Sequence, residues 1–372
     1  MKTIADLKNL KGKRVIMRVD FNVPIEGSVV MDDFRIRKTI PTIEKLREKG
    51  ARVILMSHLE GKGGDSLRPV FNYLRTFFPI TFIEDIESKE AEEVIKKMSN
   101  TEVVLLENLR KWKGEKANDP KFAKRLASFA DIYVNEAFPT SHREHASIVG
   151  VPKYIPGVAG NLFMQEFNNL KVALEPQSPA LFIFGGAKFS TKLPLLKKFL
   201  DRGEKVVVAG ALMNNFYQIK GLEVGKSLVE EGYFDINKML EDQDLYLPVD
   251  VVVQDKAGRA EIKEPNKVAA RDVIMDVGPK TIEDLQTFIT ESKFILWNGP
   301  LGNYEKGFDE GTKELAHRIA ESGKDSIVGG GDTVAVIAKL QLLDKFTFVS
   351  TAGGAMLDFL EDGILPGVEI LN

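Results

Sequence analysis

The chain has 372 residues, of which 44% are hydrophobic, and this is enough for two domains with sizeable cores. It contains no cysteine, which excludes disulfides and thiolate metal sites, and no apolar stretch approaches the roughly 18 residues of a membrane span. The net charge is −3, but residues 1–165 carry 28 Lys and Arg against 22 Asp and Glu, whereas residues 166–372 carry 23 against 32. We therefore expect the first half to bind a small anion.

The composition also bears on location and on macromolecular partners. The first residues are polar and lack the apolar core of a signal peptide, so we expect a cytoplasmic protein. The basic residues of the first half are interleaved with acidic ones and carry no aromatic platform, which disfavours nucleic acid as a partner.

Short apolar runs alternate with helical patterns along the first half of the chain. The predicted strands are 14–21, 52–58, 81–84, 102–106 and 130–134. Helical spacing of apolar residues occurs at 41–49 and 122–129. This alternation predicts a parallel sheet that is covered by helices.

Polar side chains follow several of these predicted strands. Asp20 and Asn22 lie at the end of the first strand, and His58 ends the second. Arg110 and Arg143 come after the strands 102–106 and 130–134. Ligands of open parallel sheets bind beyond the carboxyl ends of the strands, so we expect these side chains to form a site.

An amphipathic helix, Asn161–Leu174, separates the two halves, with prolines on both sides of it. The predicted organisation is an N-terminal domain (1–160), an interdomain helix (161–174), a C-terminal domain (175–355) and a terminal segment that returns to the N-terminal domain (356–372). The predicted fold class is α/β, with two doubly wound parallel-sheet, Rossmann-like domains that face each other across a hinged cleft.

The predicted strands of the second half end in glycine instead of in charged residues. The apolar runs 181–184, 206–209, 294–297, 326–328 and 346–349 each precede one or more glycines. A strand that breaks into glycine and then into a helix directs backbone N–H groups and a helix dipole at one point. Such an arrangement suits a phosphate group.

Two lysines and an aspartate stand beside these glycines. Lys188 follows Gly185-Gly186-Ala187, and Lys192 comes one helical turn later, so two ammonium groups would flank the same anion. Cations are disfavoured at the start of a helix unless an anion is bound, which favours a functional interpretation. Asp332 follows another run of glycines and is either an N-cap or a ligand of Mg²⁺, which uses one or two carboxylates together with substrate phosphates.

Some patterns that suggest other functions are incomplete. Gly225-Lys226-Ser227 looks like the end of a P-loop, but Lys220 stands where that pattern requires glycine, so we interpret the segment as a turn. No G-x-G-x-x-G follows a strand, which disfavours a dinucleotide-dependent dehydrogenase. His142 and His145 lack an evident third ligand, so hydrogen bonding is favoured over a metal site.

Several motifs resemble those of the phosphoglycerate kinase family, and together they cover nearly the whole chain. In chain order they are RVDFNVP at 18–24, LENLR at 106–110, GGAK at 185–188, GKSL at 225–228, LPVD at 247–250, WNGP at 297–300, GGGDT at 329–333 and LPGV at 365–368. The resemblance implies a glycolytic kinase that transfers a phosphoryl group reversibly between 1,3-bisphosphoglycerate and ADP, with Mg²⁺ bound to ATP or ADP. A related phosphotransferase that acts on another small phosphorylated carboxylate is the alternative.

The resemblance also implies which residues form the sites. Substrate binding would involve Asp20, Phe21, Asn22, Arg35, His58, Leu59, Glu60, Gly61, Arg110 and Arg143. Nucleotide binding would involve Gly186, Ala187, Lys192, Asn298, Pro300, Glu305, Gly330, Gly331, Asp332 and Thr333. Arg35, Lys188 and Lys192 would be catalytic, and Asp332 would hold the metal.

The chemistry of such a reaction agrees with these residue types. A carboxylate nucleophile is already ionised at neutral pH, so no general base is needed. The transfer instead needs positioning and the cancellation of charge on the transferred group. We expect in-line transfer when the domains close, with Asn161–Leu174 and residues 350–354 as hinge candidates, and we expect a monomer. A non-catalytic protein that binds small anions would differ in having no Mg²⁺ requirement.

One departure from the family pattern falls in the expected substrate site. After His58 the family has Leu-Gly-Arg-Pro, whereas this chain has Leu59-Glu60-Gly61-Lys62, so an expected arginine is missing. Lys62 or Arg68 would be the available substitutes, but a lysine lacks the planar fork with which arginine binds phosphate. We therefore expect weaker binding of the substrate phosphate.

Overall fold

The computed structural model describes residues 1–61, 65–232 and 234–372. By their contacts these residues divide into two compact units. The first unit consists of Met1–Asn168 and Ile364–Asn372, and the second unit consists of Asn169–Gly363. Within the described ranges, no helix is long and apolar enough to cross a membrane.

The first unit is built on a parallel sheet. Its strands are β1 (Arg14–Arg18), β2 (Ile25–Glu26), β3 (Val29–Val30), β4 (Arg52–Met56), β5 (Ile80–Ile83), β6 (Val103–Leu106), β7 (Ile132–Asn135) and β8 (Gly157–Ala159). The described strands of the sheet lie in the order β5-β6-β4-β1-β7-β8, and β2 and β3 form a separate hairpin. The central strands are continuous apolar runs, because a parallel sheet buries both of its faces under helices.

The second unit repeats this architecture. Its strands are β9 (Ala180–Phe184), β10 (Lys205–Val208), β11 (Leu245–Tyr246), β12 (Val251–Gln254), β13 (Ala260–Lys263), β14 (Val273–Val277), β15 (Phe294–Asn298), β16 (Asp325–Gly329) and β17 (Phe348–Val349). The parallel sheet has the order β11-β10-β9-β15-β16-β17, while β13-β12-β14 form an antiparallel sheet. Every residue of β9 and of β15 is buried, so these two strands form the centre of the core.

Helices connect the parallel strands in both units. They are α1 (Phe34–Glu48), α2 (Arg68–Leu74), α3 (Lys89–Lys97), α4 (Lys113–Lys116), α5 (Pro120–Ser128), α6 (Asn161–Leu174), α7 (Phe189–Leu200), α8 (Leu212–Ile219), α9 (Asn237–Leu240), α10 (Pro279–Glu291), α11 (Glu310–Ser322), α12 (Gly331–Lys339), α13 (Gly354–Asp362) and α14 (Pro366–Glu369). The two parallel sheets confirm the predicted α/β class with two parallel-sheet domains.

Helix α1 begins at Phe34, earlier than the sequence pattern at 41–49 predicts. The prediction treated Pro41 as a helix start, where proline is favoured, but Pro41 lies inside the helix. The apolar face continues in front of it, because Ile36 and Ile40 are both buried. The added turns matter for the site, since they place Arg35 in the first turn of α1.

The boundary between the units differs from the predicted one at two places. The division falls inside α6, between Asn168 and Asn169, and the chain returns to the first unit at Ile364 instead of at residue 356. Helix α13 stays with the second unit because it packs on α7. The Lys198 side chain of α7 donates hydrogen bonds to the Leu360 and Glu361 carbonyls, at 2.6 and 2.8 Å.

Candidate functional site

Polar side chains gather at the carboxyl ends of β1 and β4 in the first unit. Arg35 donates to Asp20 Oδ2 at 2.8 Å and to the Asn22 carbonyl at 3.3 Å. The Asn22 N–H donates to Asp20 Oδ1 at 3.1 Å. The Asn22 side chain in turn accepts a hydrogen bond from the Glu60 N–H at 2.9 Å. Asp20, which is buried, therefore fixes both the loop after β1 and the guanidinium group of Arg35.

His58 is held neutral among arginines. It is 2% exposed, and its Nδ1 lies 3.1 Å from Nη2 of Arg18. Burial and the charges of Arg18, Arg110 and Arg143 lower the pKa of His58 far below its ordinary value. A neutral imidazole accepts a hydrogen bond from arginine without adding charge, so His58 orients Arg18.

Arg110 and Arg143 each lie beside a histidine. Nη1 of Arg110 is 3.1 Å from Nδ1 of His145, and Nε of Arg143 donates to Nε2 of His142 at 3.1 Å. Burial and the neighbouring arginines lower the pKa of His145 to about 4. No group of three His, Cys, Asp or Glu residues that could hold a metal ion occurs in the described parts of the chain. The two histidines hold arginines, as the hydrogen-bonding interpretation predicted.

The Glu60 carboxylate lies among cations. Its oxygens are 2.9 Å from Nε of Arg110, 3.1 Å from Nζ of Lys116 and 3.6 Å from Nη1 of Arg143. These residues, together with Asp20, Asn22, Arg35, His58 and Arg18, form what is here called the cationic cluster. Lys116 and Arg18 were not among the residues that the sequence indicated.

Arg18 is a buried member of this cluster. Its Nε donates to Ser147 Oγ at 2.9 Å, and Ser147 Oγ donates to the buried Glu115 carboxylate at 2.6 Å. Arg18 belongs to the strand β1, in a run whose apolar residues suggested only a core position. The signal that could have identified Arg18 is a charged residue at the end of an apolar strand. Charged residues are seldom buried unless they are paired, so such a residue indicates a buried polar network.

Some residues that the sequence indicated lie beside the cluster instead of in it. The Phe21 side chain is part of the hydrophobic core, and Leu59 is 2% exposed and bonded through its backbone to Asn108. The side chains of these two residues are therefore not available to a ligand, and the Leu59 backbone already bonds to Asn108. Arg68 pairs with Glu84 and stacks on the Phe82 ring, and Lys62 lies outside the described residues.

The glycine-rich strand ends of the second unit surround a cavity of about 590 Å³. Five of the residues predicted for nucleotide binding line it, namely Gly186, Ala187, Pro300, Glu305 and Asp332. Close packing of the loops requires glycine here, since a Cβ atom on Gly185 would clash with the Pro300 carbonyl oxygen. Gly186 has φ +81°, a conformation that favours glycine.

Lys192 lies beneath this loop. The residue is 6% exposed, and its ammonium group donates to the Gly185 carbonyl oxygen. Burial, followed by repulsion from Lys188, lowers the pKa of Lys192 to about 8, and Asp332 acts against this. Lys188 is the N-cap residue of α7 and is exposed. The predicted pair of cations is therefore present, with one member buried and the other in solvent.

The start of α7 is capped by a residue that the sequence did not indicate. The Glu230 carboxylate accepts hydrogen bonds from the Phe189 and Ser190 N–H groups, at 2.8 and 3.3 Å. These two N–H groups are therefore not available to a phosphate. An anion at this loop would meet the Lys192 and Lys188 ammonium groups and the backbone of Gly186 and Ala187 instead.

Asp332 is not the N-cap of α12. The residue before the helix is Gly330, with φ +97°, and Asp332 is exposed in the first turn on the wall of the cavity. An exposed carboxylate beside a glycine-rich loop is of the kind that Mg²⁺ uses together with substrate phosphates. Thr333 follows, and its buried Oγ1 has no hydrogen-bond partner within the described residues.

Other residues predicted for nucleotide binding do not line the cavity. Asn298 is 4% exposed at the end of β15, where its carbonyl accepts from the Gly185 N–H at 2.9 Å. Gly330 packs against the backbone of Gly299, with a Cβ position only 3.3 Å from the Gly299 nitrogen. Neither Gly330 nor Gly331 lines the cavity.

The cavity also contains residues that sequence reasoning set aside. Lys226, Ser227 and Leu228 line it, and the segment 225–227 is a turn without a following helix. The interpretation as a turn instead of a P-loop is therefore correct, yet the turn still forms a wall of the cavity. Gly225 pairs with Val273 in an isolated bridge, and this pairing brings a distant segment to the site.

Comparisons with known proteins agree on one family. The family model described as phosphoglycerate kinase matches residues 4–363. The phosphoglycerate kinase of Dictyoglomus turgidum is 46% identical over all of this chain and 99% of its own length. The phosphoglycerate kinase of Thermosipho africanus is 43% identical over 98% of this chain and 96% of its own length. The solved structure of phosphoglycerate kinase from Coxiella burnetii has a TM-score of 0.84 at 38% identity, and the match covers 99% of this chain and 98% of that one. The solved structure from Pyrococcus horikoshii has a TM-score of 0.88 at 30% identity, and the match covers 100% of this chain and 98% of that one.

Proposed function

The chain belongs to the phosphoglycerate kinase family, and we propose that it transfers a phosphoryl group reversibly between the acyl phosphate of 1,3-bisphosphoglycerate and ADP. The observation that carries this function is the full-length match, at 46% identity, to a relative of that name. The cationic cluster of the first unit and the glycine-lined cavity of the second supply the two kinds of binding group that the reaction needs. The alternative, a different small phosphorylated carboxylate, is not favoured.

The cationic cluster would hold 3-phosphoglycerate. Arg110 and Arg143 present guanidinium forks, which bind phosphate and carboxylate bidentately. Asp20 and Asn22 are hydrogen-bonded to Arg35 and to the loop at Glu60, so they are positioned to meet the glycerate hydroxyl. The neutral His58 keeps Arg18 directed at the same region.

The cavity of the second unit would hold the nucleotide. Gly186 and Ala187 line it, the Lys192 ammonium lies beside Gly186, and Glu305 also lines it and would bind the ribose. Phosphate groups would thus meet Lys192, Lys188 and the glycine loops. The apolar wall at Leu228 and Met275 would take the base.

The chain fits a Mg²⁺ ion that arrives with the nucleotide. Asp332 offers one exposed carboxylate at the cavity, and Mg²⁺ in kinase sites is commonly bound by one or two carboxylates plus substrate phosphates. When bound, the ion would neutralise charge on the phosphate oxygens. Asp332 would hold it, and the N-terminus of α12 would support the phosphates beside it.

The reaction needs no protein base. A carboxylate oxygen of 3-phosphoglycerate attacks the γ-phosphorus of ATP, and the bond from that phosphorus to the bridging oxygen of ADP breaks. The nucleophile carries no proton at neutral pH, so the protein supplies orientation and charge stabilisation. We assign charge stabilisation on the transferred group to Arg35, Lys188 and Lys192. Arg35 can serve because its side chain is 30% exposed while Asp20 fixes its guanidinium group.

A direct assay tests the function. The purified chain is given 3-phosphoglycerate and ATP with Mg²⁺, and 1,3-bisphosphoglycerate is detected by coupling to its reductive consumption, with EDTA as the control. We expect turnover within about 1–10³ s⁻¹ that EDTA abolishes. A folded, ATP-binding protein without turnover would contradict the proposed substrate, and other small phosphorylated carboxylates would then be tried. Cytoplasmic location and a monomeric state stay predictions.

The pH dependence of nucleotide use should report Lys192. The ammonium form binds phosphate, and with a pKa of about 8 its fraction falls as the pH rises through that value. We therefore expect kcat/KM for ATP to decline above pH 8, about tenfold for each further pH unit. The decline in kcat should begin at a higher pH, because bound phosphate stabilises the charged form. A kcat/KM that stays flat to pH 9.5 would contradict a depressed pKa at this lysine.

A further inference from the structure

The Glu60 carboxylate occupies the place in the cationic cluster where an anion would be expected. One oxygen is 2.9 Å from Nε of Arg110 and 3.1 Å from Nζ of Lys116, and the other is 3.6 Å from Nη1 of Arg143. Three cations from separate segments of the chain thus converge on one carboxylate. A phosphate that bound the same three cations would have to take this place.

The pairing of Glu60 with Arg110 leaves donors unused. Nε of Arg110 is close to the carboxylate, but it is not aligned for a hydrogen bond, and Nη2 is buried without a hydrogen-bond partner within the described residues. Buried guanidinium donors are normally satisfied. A tetrahedral anion, with oxygens pointing in several directions, would satisfy both nitrogens better than the flat carboxylate does.

Two of the three ion pairs of Glu60 are exposed. The Glu60 side chain is 36% exposed, and its partners Lys116 and Arg143 are 62% and 34% exposed, whereas Arg110 is 8% exposed. The two exposed ion pairs contribute little to stability, so the free energy needed to release Glu60 lies mainly in its pair with Arg110. Burial raises the pKa of Glu60, but the Lys116 hydrogen bond and the nearby arginines outweigh it and lower the pKa, so the group is an anion at neutral pH.

The backbone around Glu60 holds the side chain at the cluster. The Glu60 N–H donates to Asn22 Oδ1 at 2.9 Å, and Asn22 belongs to the loop that also contacts Arg35. The next residue, Gly61, has φ +102°, which residues with a side chain rarely adopt. The loop conformation that presents Glu60 to the cations therefore depends on glycine at position 61.

We propose that Glu60 is an intramolecular competitor of the substrate phosphate. Its carboxylate neutralises Arg110, Lys116 and Arg143 in the free protein, and the phosphate of 3-phosphoglycerate displaces it on binding. The affinity for the phosphorylated substrate is lowered by the free energy needed to break these ion pairs. The proposal rests on the proposed function, because it takes 3-phosphoglycerate to be the ligand of this cluster.

The experiment compares Glu60→Gln with Glu144→Gln in the full chain. Glu144 is exposed and adjoins Arg143, so its substitution removes the same charge near the cluster without removing these ion pairs. The dissociation constant of 3-phosphoglycerate is measured by calorimetry at fixed pH and ionic strength. We expect it to fall about fivefold in Glu60→Gln, which corresponds to ~1 kcal/mol, and to change less than about twofold in Glu144→Gln.

Inorganic phosphate is the second probe, and it distinguishes competition from a structural role. As a competitor of 3-phosphoglycerate, it should have an inhibition constant about fivefold lower for Glu60→Gln than for the unchanged protein. Glu60→Ala should behave as Glu60→Gln does, and Glu60→Asp, which keeps the charge, should stay close to the unchanged protein. A glutamate that merely positions the arginines would give weaker binding of both ligands in the Gln and Ala variants.

The outcomes separate this inference from the proposed function. Unchanged or weaker binding of 3-phosphoglycerate in Glu60→Gln, with an active parent protein, would overturn the competition while leaving the kinase function in place. A parent protein that neither binds 3-phosphoglycerate nor turns it over would overturn the proposed function itself. Equal tightening in Glu144→Gln would show a general charge effect and would also overturn the proposal.

Discussion

Substitution of Lys192 by methionine should lower kcat by roughly 10³-fold, because it removes a charge that would act on the phosphates from a site shielded from water. Lys192 is 6% exposed and is held beneath the glycine loop by its bond to the Gly185 carbonyl. A cation that is already desolvated and fixed needs no reorganisation when negative charge moves during the transfer. This combination of burial and charge is why we expect the effect of Lys192 to exceed that of the exposed Lys188.

The fold should tolerate this substitution. The lowered pKa of Lys192 means that burial disfavours its charged form in the folded protein, so an apolar side chain of similar length removes an unfavourable group. We expect an unchanged or slightly higher urea midpoint at pH 7. Steady-state rates with ATP and 3-phosphoglycerate provide the activity measurement.

Lys197 offers a matched control for Lys192. It lies on the same helix, α7, and its side chain is exposed, so Lys197→Met removes the same charge without reaching the cavity. We expect activity within about twofold of the unchanged protein, as for a surface substitution. A Lys192→Met protein that keeps more than a tenth of the original kcat would refute the catalytic assignment of Lys192.

The parts of the fold that sequence could predict are those that depend on local patterns. Continuous apolar runs such as Leu181–Phe184 become fully buried parallel strands, and two of the glycines that follow such runs, Gly186 and Gly210, line a cavity. The strands and the glycines both follow from rules that act over a few residues. A parallel sheet buries both of its faces, and glycine is needed where two loops approach each other closely. The start of α1 was misjudged because a proline at a helix start and a proline inside a helix look alike in sequence.

The parts of the site that sequence could not predict depend on contacts between distant segments. Glu230 caps α7 from a position 41 residues away, and Glu60 meets Arg110, Lys116 and Arg143 from three other segments. In the sequence, the glutamate after Leu59 indicates only a departure from the family pattern, in which an expected arginine is missing. The position of the carboxylate required the folded loop, in which Asn22 and Gly61 fix the backbone.

Asp332→Ala should lower Mg²⁺-dependent turnover by about 10²-fold or more while leaving the fold intact. If Asp332 is the protein's ligand to Mg²⁺ bound to the nucleotide, its loss removes the carboxylate that fixes the metal against the phosphates. Residual activity should need a higher Mg²⁺ concentration, which a titration of rate against Mg²⁺ measures. The free energy of unfolding should change by less than ~1 kcal/mol. Asp332 is exposed, and its expected contribution is the weak favourable interaction of a carboxylate with the dipole of α12.

Comparison with Asp344→Ala distinguishes a metal ligand from a general acidic surface. Asp344 is an exposed aspartate of the same unit that does not line the cavity, so its removal should leave both the rate and the Mg²⁺ dependence unchanged. If Asp332 were the N-cap of α12, its replacement would lower stability without changing the Mg²⁺ dependence of the rate. The N-cap is Gly330 instead, so we expect a change in the Mg²⁺ dependence. A folded Asp332→Ala protein with unchanged turnover and an unchanged Mg²⁺ midpoint would rule out Asp332 as the metal ligand and direct attention to Glu305, the other carboxylate on the cavity wall among the described residues.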